Sequence, residues 1–190
     1  MRIEEEIKLD YSDVLFRPKR STLKSRKDVD LNRKYNFKYS KLIWKGIPII
    51  ASNMDGVGEI GVAKKLASHK VMTALTKQHN LEQISSIYKN PDFHKYVALS
   101  CGTNIDSYNR LNKILKKFPK FEFICIDVAN GYSENFSKFV SEVRKKYPKK
   151  TIIAGNVVTA DMTQELVLSG ADIVKVGIGP GSVCTTRIQT

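Results

Sequence analysis

The sequence contains no run of about eighteen apolar residues, so it offers no membrane-spanning helix. Its first residues, Met1-Arg2-Ile3-Glu4-Glu5-Glu6, lack the apolar core of a secretory signal. Cysteine is scarce, three in 190 residues. An odd count without a secretory signal argues against a disulfide framework and for free thiols in a reducing compartment, here the cytoplasm. The three histidines, His69, His79 and His94, have no metal-ligand spacing. Low-complexity segments and a second domain are also missing. Acidic residues are outnumbered, 19 against 32 basic ones, for a net charge of +13. The bases are dispersed, as at Lys64-Lys65, Lys116-Lys117, Arg144-Lys145-Lys146 and Lys149-Lys150. Most fall on polar faces or C-terminal ends of predicted helices, where cations suit the helix dipole. This reads as a solvated surface that steers a phosphorylated substrate, with no nucleic-acid partner expected.

What the sequence does have is a repeat of strand and helix. Short apolar runs occupy 47–52, 71–75, 96–100, 123–127, 151–155 and 173–177, spaced by about one βα unit. Such runs suit strands of a parallel sheet buried on both faces. Between them lie apolar helical faces. One is Ile60, Ala63, Leu66 and Ala67, and a second is Ile105, Tyr108, Leu111, Ile114 and Leu115. A third is Phe136, Phe139, Val140 and Val143, and a fourth is Met162, Leu166 and Val167. Pro119, Pro148 and Gly170 act as helix stops.

A chemically distinctive residue follows each strand: Asn53-Met54-Asp55, Lys77, Gly102-Thr103, Asp127 with Asn130-Gly131, Asn156, and the loop from Gly177 to Thr186. Side chains gathered at the C-terminal end of every strand predict a (β/α)8 TIM barrel in the α/β class, incomplete here at about six of eight units. A doubly wound sheet would concentrate them at one switch point. The expected organisation is an N-terminal segment over 1–46, polar and hairpin-like as a lid on the barrel's N-terminal face, and a partial barrel over 47–190.

The richest chemistry lies in Val176-Gly177-Ile178-Gly179-Pro180-Gly181-Ser182-Val183-Cys184-Thr185-Thr186-Arg187. Its glycines let the backbone turn tightly and approach a ligand. Such a loop offers N–H groups to an anion and carbonyls to a cation. Cys184, in a polar loop flanked by hydroxyls, is a candidate nucleophile. Cys125, between Ile124 and Ile126, is expected to be a core thiol. Cys101 ends the third strand and is the weaker candidate for ligand contact.

Residues 179–187 resemble the catalytic cysteine loop of the GMP reductases, within the IMP dehydrogenase and GMP reductase family. The resemblance extends to Asp13-Val14-Leu15-Phe16-Arg17-Pro18-Lys19-Arg20-Ser21, Asn53-Met54-Asp55, Asp127-Val128-Ala129-Asn130-Gly131-Tyr132-Ser133, Ala154-Gly155-Asn156-Val157-Val158-Thr159 and 169–177. It implies NADPH-dependent reductive deamination of GMP to IMP and ammonia in purine salvage, through a covalent cysteine thioimidate. Cys184 would attack and Thr186 would relay protons. Ser25, Arg26, Lys77, Asp127, Val128, Ala129, Asn130, Gly131, Ile178 and Gly179 would contact NADPH, with Ser25 and Arg26 reaching it from a neighbouring subunit of a homotetramer. Met54 and Ser182 would contact GMP, and Asn156 would support the site. Gly179, Gly181, Cys184 and Arg187 would form a potassium site.

IMP dehydrogenases share the barrel and the cysteine. They usually carry a regulatory domain after the second strand, whereas this chain runs straight from Lys77 to the third. An IMP dehydrogenase-like enzyme and an inactive nucleotide-binding fragment remain the alternatives. The sequence departs from the family at Thr76, where histidine is usual, at Gln78 and at Gly56. The resemblance also implies that two strands, a phosphate-binding loop, a flap and a partner glutamate lie beyond Thr190. The 190 residues alone are therefore expected to turn over little GMP.

Overall fold

Side chains alternate across a strand, and here both faces of the sheet find apolar partners. In the computed structural model, which describes residues 7, 9, 11–90, 93–179 and 184–186, seven strands form one sheet in sequential order. They are β1 (Arg33–Asn36), β2 (Ile43–Ala51), β3 (Val71–Leu75), β4 (Val97–Cys101), β5 (Phe123–Asp127), β6 (Thr151–Val157) and β7 (Ile173–Val176). The pair β1–β2 is antiparallel, and β2 through β7 pair in parallel. The intervening helices are α1 (Ile60–Ser68), α2 (Leu81–Tyr88), α3 (Ile105–Lys117), α4 (Glu134–Lys146) and α5 (Ala160–Leu168). The six expected barrel strands are all present as an open (β/α) barrel, and among the described residues no helix is long and apolar enough to cross a membrane.

Two compact units divide the chain, residues 1–30 and 31–190. The first holds two short 3-10 turns, at Tyr11–Asp13 and Arg26–Asp28. Ser25 caps the second, accepting from the Lys27 N–H at 3.2 Å while its own N–H donates to Asp28.

In the second unit, one cluster fills the space between sheet and helices and includes Leu99, Ile124, Ile126, Leu111, Phe136, Val140 and Leu166. The other fills the barrel interior with Trp44, Met72, Ala98, Phe123, Cys125 and Ile153. Helix starts are fixed by side-chain caps from Asn80, Asn104, Ser133 and Thr159. Basic residues close the last turns of α3 and α4, which absorbs part of the charge surplus.

The first barrel strand begins at Ile43, four residues before the apolar run, because Ile43–Gly46 pair with β1. This hairpin packs into the N-terminal end of the barrel. Phe37 meets Phe123 edge to face at 5.9 Å, and the Trp44 indole N–H donates to the Lys95 carbonyl at 3.0 Å. Beside it, the Asp172 side chain is fully buried and accepts from Tyr39 N–H, Ile152 N–H and the Arg144 guanidinium at 2.9, 3.2 and 2.6 Å.

Candidate active site

Parallel strands bring their C-terminal ends to one rim, and the unused polar side chains gather there. A cavity of about 930 Å³ opens at this rim. Its wall combines the segment after β2 (Ser52, Asn53, Met54), Lys77 after β3, the end of β5 and the residues after it (Cys125, Asp127, Val128, Ala129), Asn156, Lys175, and the loop after β7 with Ile178, Gly179, Cys184 and Thr186. The size lies in the range of cofactor and small-molecule sites, roughly 300–1,000 Å³.

Cys184 is partly exposed, forms no disulfide, and places Sγ 3.4 Å from the Thr186 hydroxyl. Its loop leaves β7 through Gly177 and Gly179, at φ values of 130° and 53°. These are left-handed backbone conformations that favour glycine. Asn156 braces the same turn, donating from Nδ2 to the Gly177 carbonyl at 2.7 Å.

The other two thiols are set apart by burial. Cys101 faces the helix layer, and burial first, then the neighbouring Cys125, push its pKa up to about 12. Cys125 forms part of the barrel interior, and burial pushes it to about 11. A neutral acid with a raised folded pKa contributes stability that is complete below its unfolded value, 9.0, and declines as pH rises toward about 12. Two outcomes are expected. Iodoacetamide at pH 8 labels Cys184 and spares Cys101 and Cys125, as peptide mass mapping will register. In addition, the loss of unfolding free energy above pH 9.0 is shallower in Cys101→Ala than in the parent.

Lys77 donates from Nζ to the Asp127 carbonyl at 3.1 Å. Asp127 ends β5 pointing inward, and its carboxylate pairs with Lys175. Val128, Ala129, Ile178, Gly179 and the well-exposed Met54 line the cavity. Asn130 and Gly131 do not. The Asn130 side chain accepts from the Tyr132 N–H at 3.0 Å, and Gly131 lies where a Cβ would come within 2.7 Å of the Asn156 carbonyl. Ser25 and Arg26 lie in the other unit. Gly181, Ser182 and Arg187 fall outside the described residues.

Thr76 stands next to Lys77, and its hydroxyl contacts His79 Nε2 at 3.1 Å. The same nitrogen lies 3.0 Å from the Gly58 carbonyl and 3.6 Å from a Glu59 carboxylate oxygen. Sequence reasoning missed Lys175 as a site residue. The available signal was a charged residue inside an apolar strand run, at the same parity as the inward-facing Ile173.

A model of the IMP dehydrogenase / GMP reductase domain matches residues 8–190. The GMP reductases of Klebsiella pneumoniae and Escherichia coli are each 55% identical over an alignment of 192 residues that takes in all of this chain. The chain spans about 55% of the length of these relatives. Among solved structures, inosine 5'-monophosphate dehydrogenase from Legionella pneumophila superimposes with a TM-score of 0.76 at 30% identity, covering 96% of this chain and 54% of that one.

Proposed function

The chain belongs to the IMP dehydrogenase / GMP reductase domain family, and we propose that within it the chain serves the reductive deamination of GMP to IMP and ammonia with NADPH. The observation that carries this reading is the Cys184–Thr186 pair at a rim cavity also lined by Lys77 and Asp127. The 55% identity to GMP reductases favours the reductase over the dehydrogenase direction.

The Cys184 thiolate adds to carbon 2 of the purine. The bond from that carbon to the exocyclic nitrogen breaks, ammonia departs, and a thioimidate joins Sγ to the base. Thr186, whose hydroxyl lies 3.4 Å from Sγ, would pass a proton to the leaving amine. When bound, NADPH supplies a hydride to carbon 2, after which the carbon–sulfur bond breaks and the thiolate is restored. Covalent attachment divides one difficult substitution into two easier steps.

The cavity residues fit the dinucleotide. Lys77 offers a cation to its phosphates, and Asp127 with Val128 and Ala129 borders its nicotinamide end. Ile178 and Gly179 complete that wall. Asn130 and Gly131 shape the loop beside it. Ser25 and Arg26 would approach NADPH from a neighbouring subunit of a homotetramer, and Met54 and Ser182 would contact GMP. Carbonyls of Gly179 and Cys184, with those of Gly181 and Arg187, would hold potassium. Backbone carbonyls of a glycine-rich turn are donors suited to a monovalent cation.

The test is a chimera that continues this chain past Thr190 with the remaining sequence of the Escherichia coli relative. NADPH oxidation that requires GMP is the expected result, with little or none from the 190 residues alone. Turnover of IMP with NAD⁺ and none of GMP with NADPH would reassign the chain to the dehydrogenases.

A further inference from the structure

Lys175 lies in the middle of β7, turned into the barrel among apolar neighbours. An ammonium there is costly unless paired. Its Nζ donates to the carboxylate Oδ1 of Asp127, at the end of β5, and to Oδ1 of Asn53, after β2, at 3.2 Å. One side chain thus links three strand ends, including the first and last strands of the parallel set, which do not pair with each other. The neighbouring strand makes room for it. Gly155 of β6 is in register with Lys175, and a Cβ there would come within 2.6 Å of both the Lys175 Cβ and its carbonyl oxygen.

Asp127 is consequently held twice. Its backbone carbonyl takes the Lys77 ammonium, and its carboxylate takes Lys175. With Oδ1 engaged, the other carboxylate oxygen, Oδ2, has no hydrogen-bond partner among the described residues and is left to accept from a ligand.

We propose that Lys175 is a positioning residue for the cofactor. It fixes Asp127 so that one carboxylate oxygen accepts a donor on the nicotinamide nucleoside of NADPH, and it cancels a negative charge that would otherwise repel the dinucleotide phosphates. This rests on the cofactor reading of the cavity given above. Lys175 acts through Asp127, so its effect disappears when the carboxylate is gone. A cation added only for bulk charge would act independently of Asp127.

The test measures NADPH dissociation constants on the 190-residue chain by cofactor fluorescence, with melting temperatures recorded in parallel. Lys175→Met is expected to weaken NADPH by about tenfold or more, the scale of one charge-assisted hydrogen bond. Lys175→Arg keeps the charge and restores binding to within about threefold. Asp127→Asn loses about as much as Lys175→Met, and the double variant loses no more than either single one, because coupled partners are not additive. Wild-type affinity in folded Lys175→Met, or losses that multiply in the double variant, would overturn the positioning role. Failure of the unaltered chain to bind NADPH is a different result and would overturn the cofactor reading itself.

Discussion

Cys184→Ala is expected to lower GMP-dependent NADPH oxidation by at least about 10³-fold in the chimera, on the scale seen when a covalent nucleophile is removed. The cause is specific. Alanine has no atom that can bond carbon 2 of the purine, so the amine must leave in a single displacement. NADPH affinity is expected to stay near that of the parent, because Lys77, Lys175 and Asp127, which favour it, keep their side chains and their mutual contacts. Mass spectrometry after GMP addition supplies the complementary readout. A covalent adduct maps to the peptide containing Cys184 and is absent from the alanine variant. An adduct that persists on Cys101 or Cys125 would sink the assignment, since burial keeps both thiols protonated near neutral pH. Thr186→Ala is expected to slow release of ammonia while leaving the Cys184 peptide labelled by iodoacetamide, which separates proton relay from nucleophilic attack.

The second large effect is on stability and lies at the other end of the barrel. Arg144→Ala is expected to cost about 3–5 kcal/mol, the usual consequence of leaving a buried charge without its partner. The Asp172 side chain is completely buried and that of Arg144 is 13% exposed. The guanidinium also serves the carbonyls of Gly170 and Lys150 at 2.9 and 2.7 Å, so the loss is more than one ion pair. Urea unfolding followed by Trp44, which is the single tryptophan and is buried, gives the value. Removing the charge from both partners, as Arg144→Met with Asp172→Asn, is expected to cost less than Arg144→Ala, because no unpaired carboxylate remains. A drop below about 1 kcal/mol in Arg144→Ala would show that the pair is dispensable, as surface pairs are.

Much of this organisation can be read from residues. The six parallel strands coincide with the six apolar runs. For β3 to β6 the reason is burial on both faces, which leaves an uninterrupted apolar signature; β2 and β7 carry the same signature although Ile49 and Val176 are exposed. Cys125 was legible as a core thiol from its place between Ile124 and Ile126. The extension of β2 back to Ile43 was not legible. Ile43–Gly46 alternate exposed and buried positions, and their place in the strand comes from pairing with β1. Helix α2 was also faint, with Ile84 and Ile87 its only buried apolar positions, although the Asn80–Gln83 capping box marks its start.

The sequence by itself determined the strand–helix repeat and the glycine-rich loop, and it marked Cys184 as the candidate nucleophile. Those are local properties, set by side-chain hydrophobicity and by the backbone freedom of glycine. The tertiary structure alone decided which polar groups share the rim. Lys77, Asp127 and Lys175 are 50 and 48 residues apart in successive steps, and only the parity and curvature of the sheet turn them toward one cavity. The same placement separates Asp127 from Asn130, three positions along, whose side chain completes a loop. Charge in a strand reads as an irregularity in one dimension; in three it is the clamp that joins β7, β5 and the segment after β2.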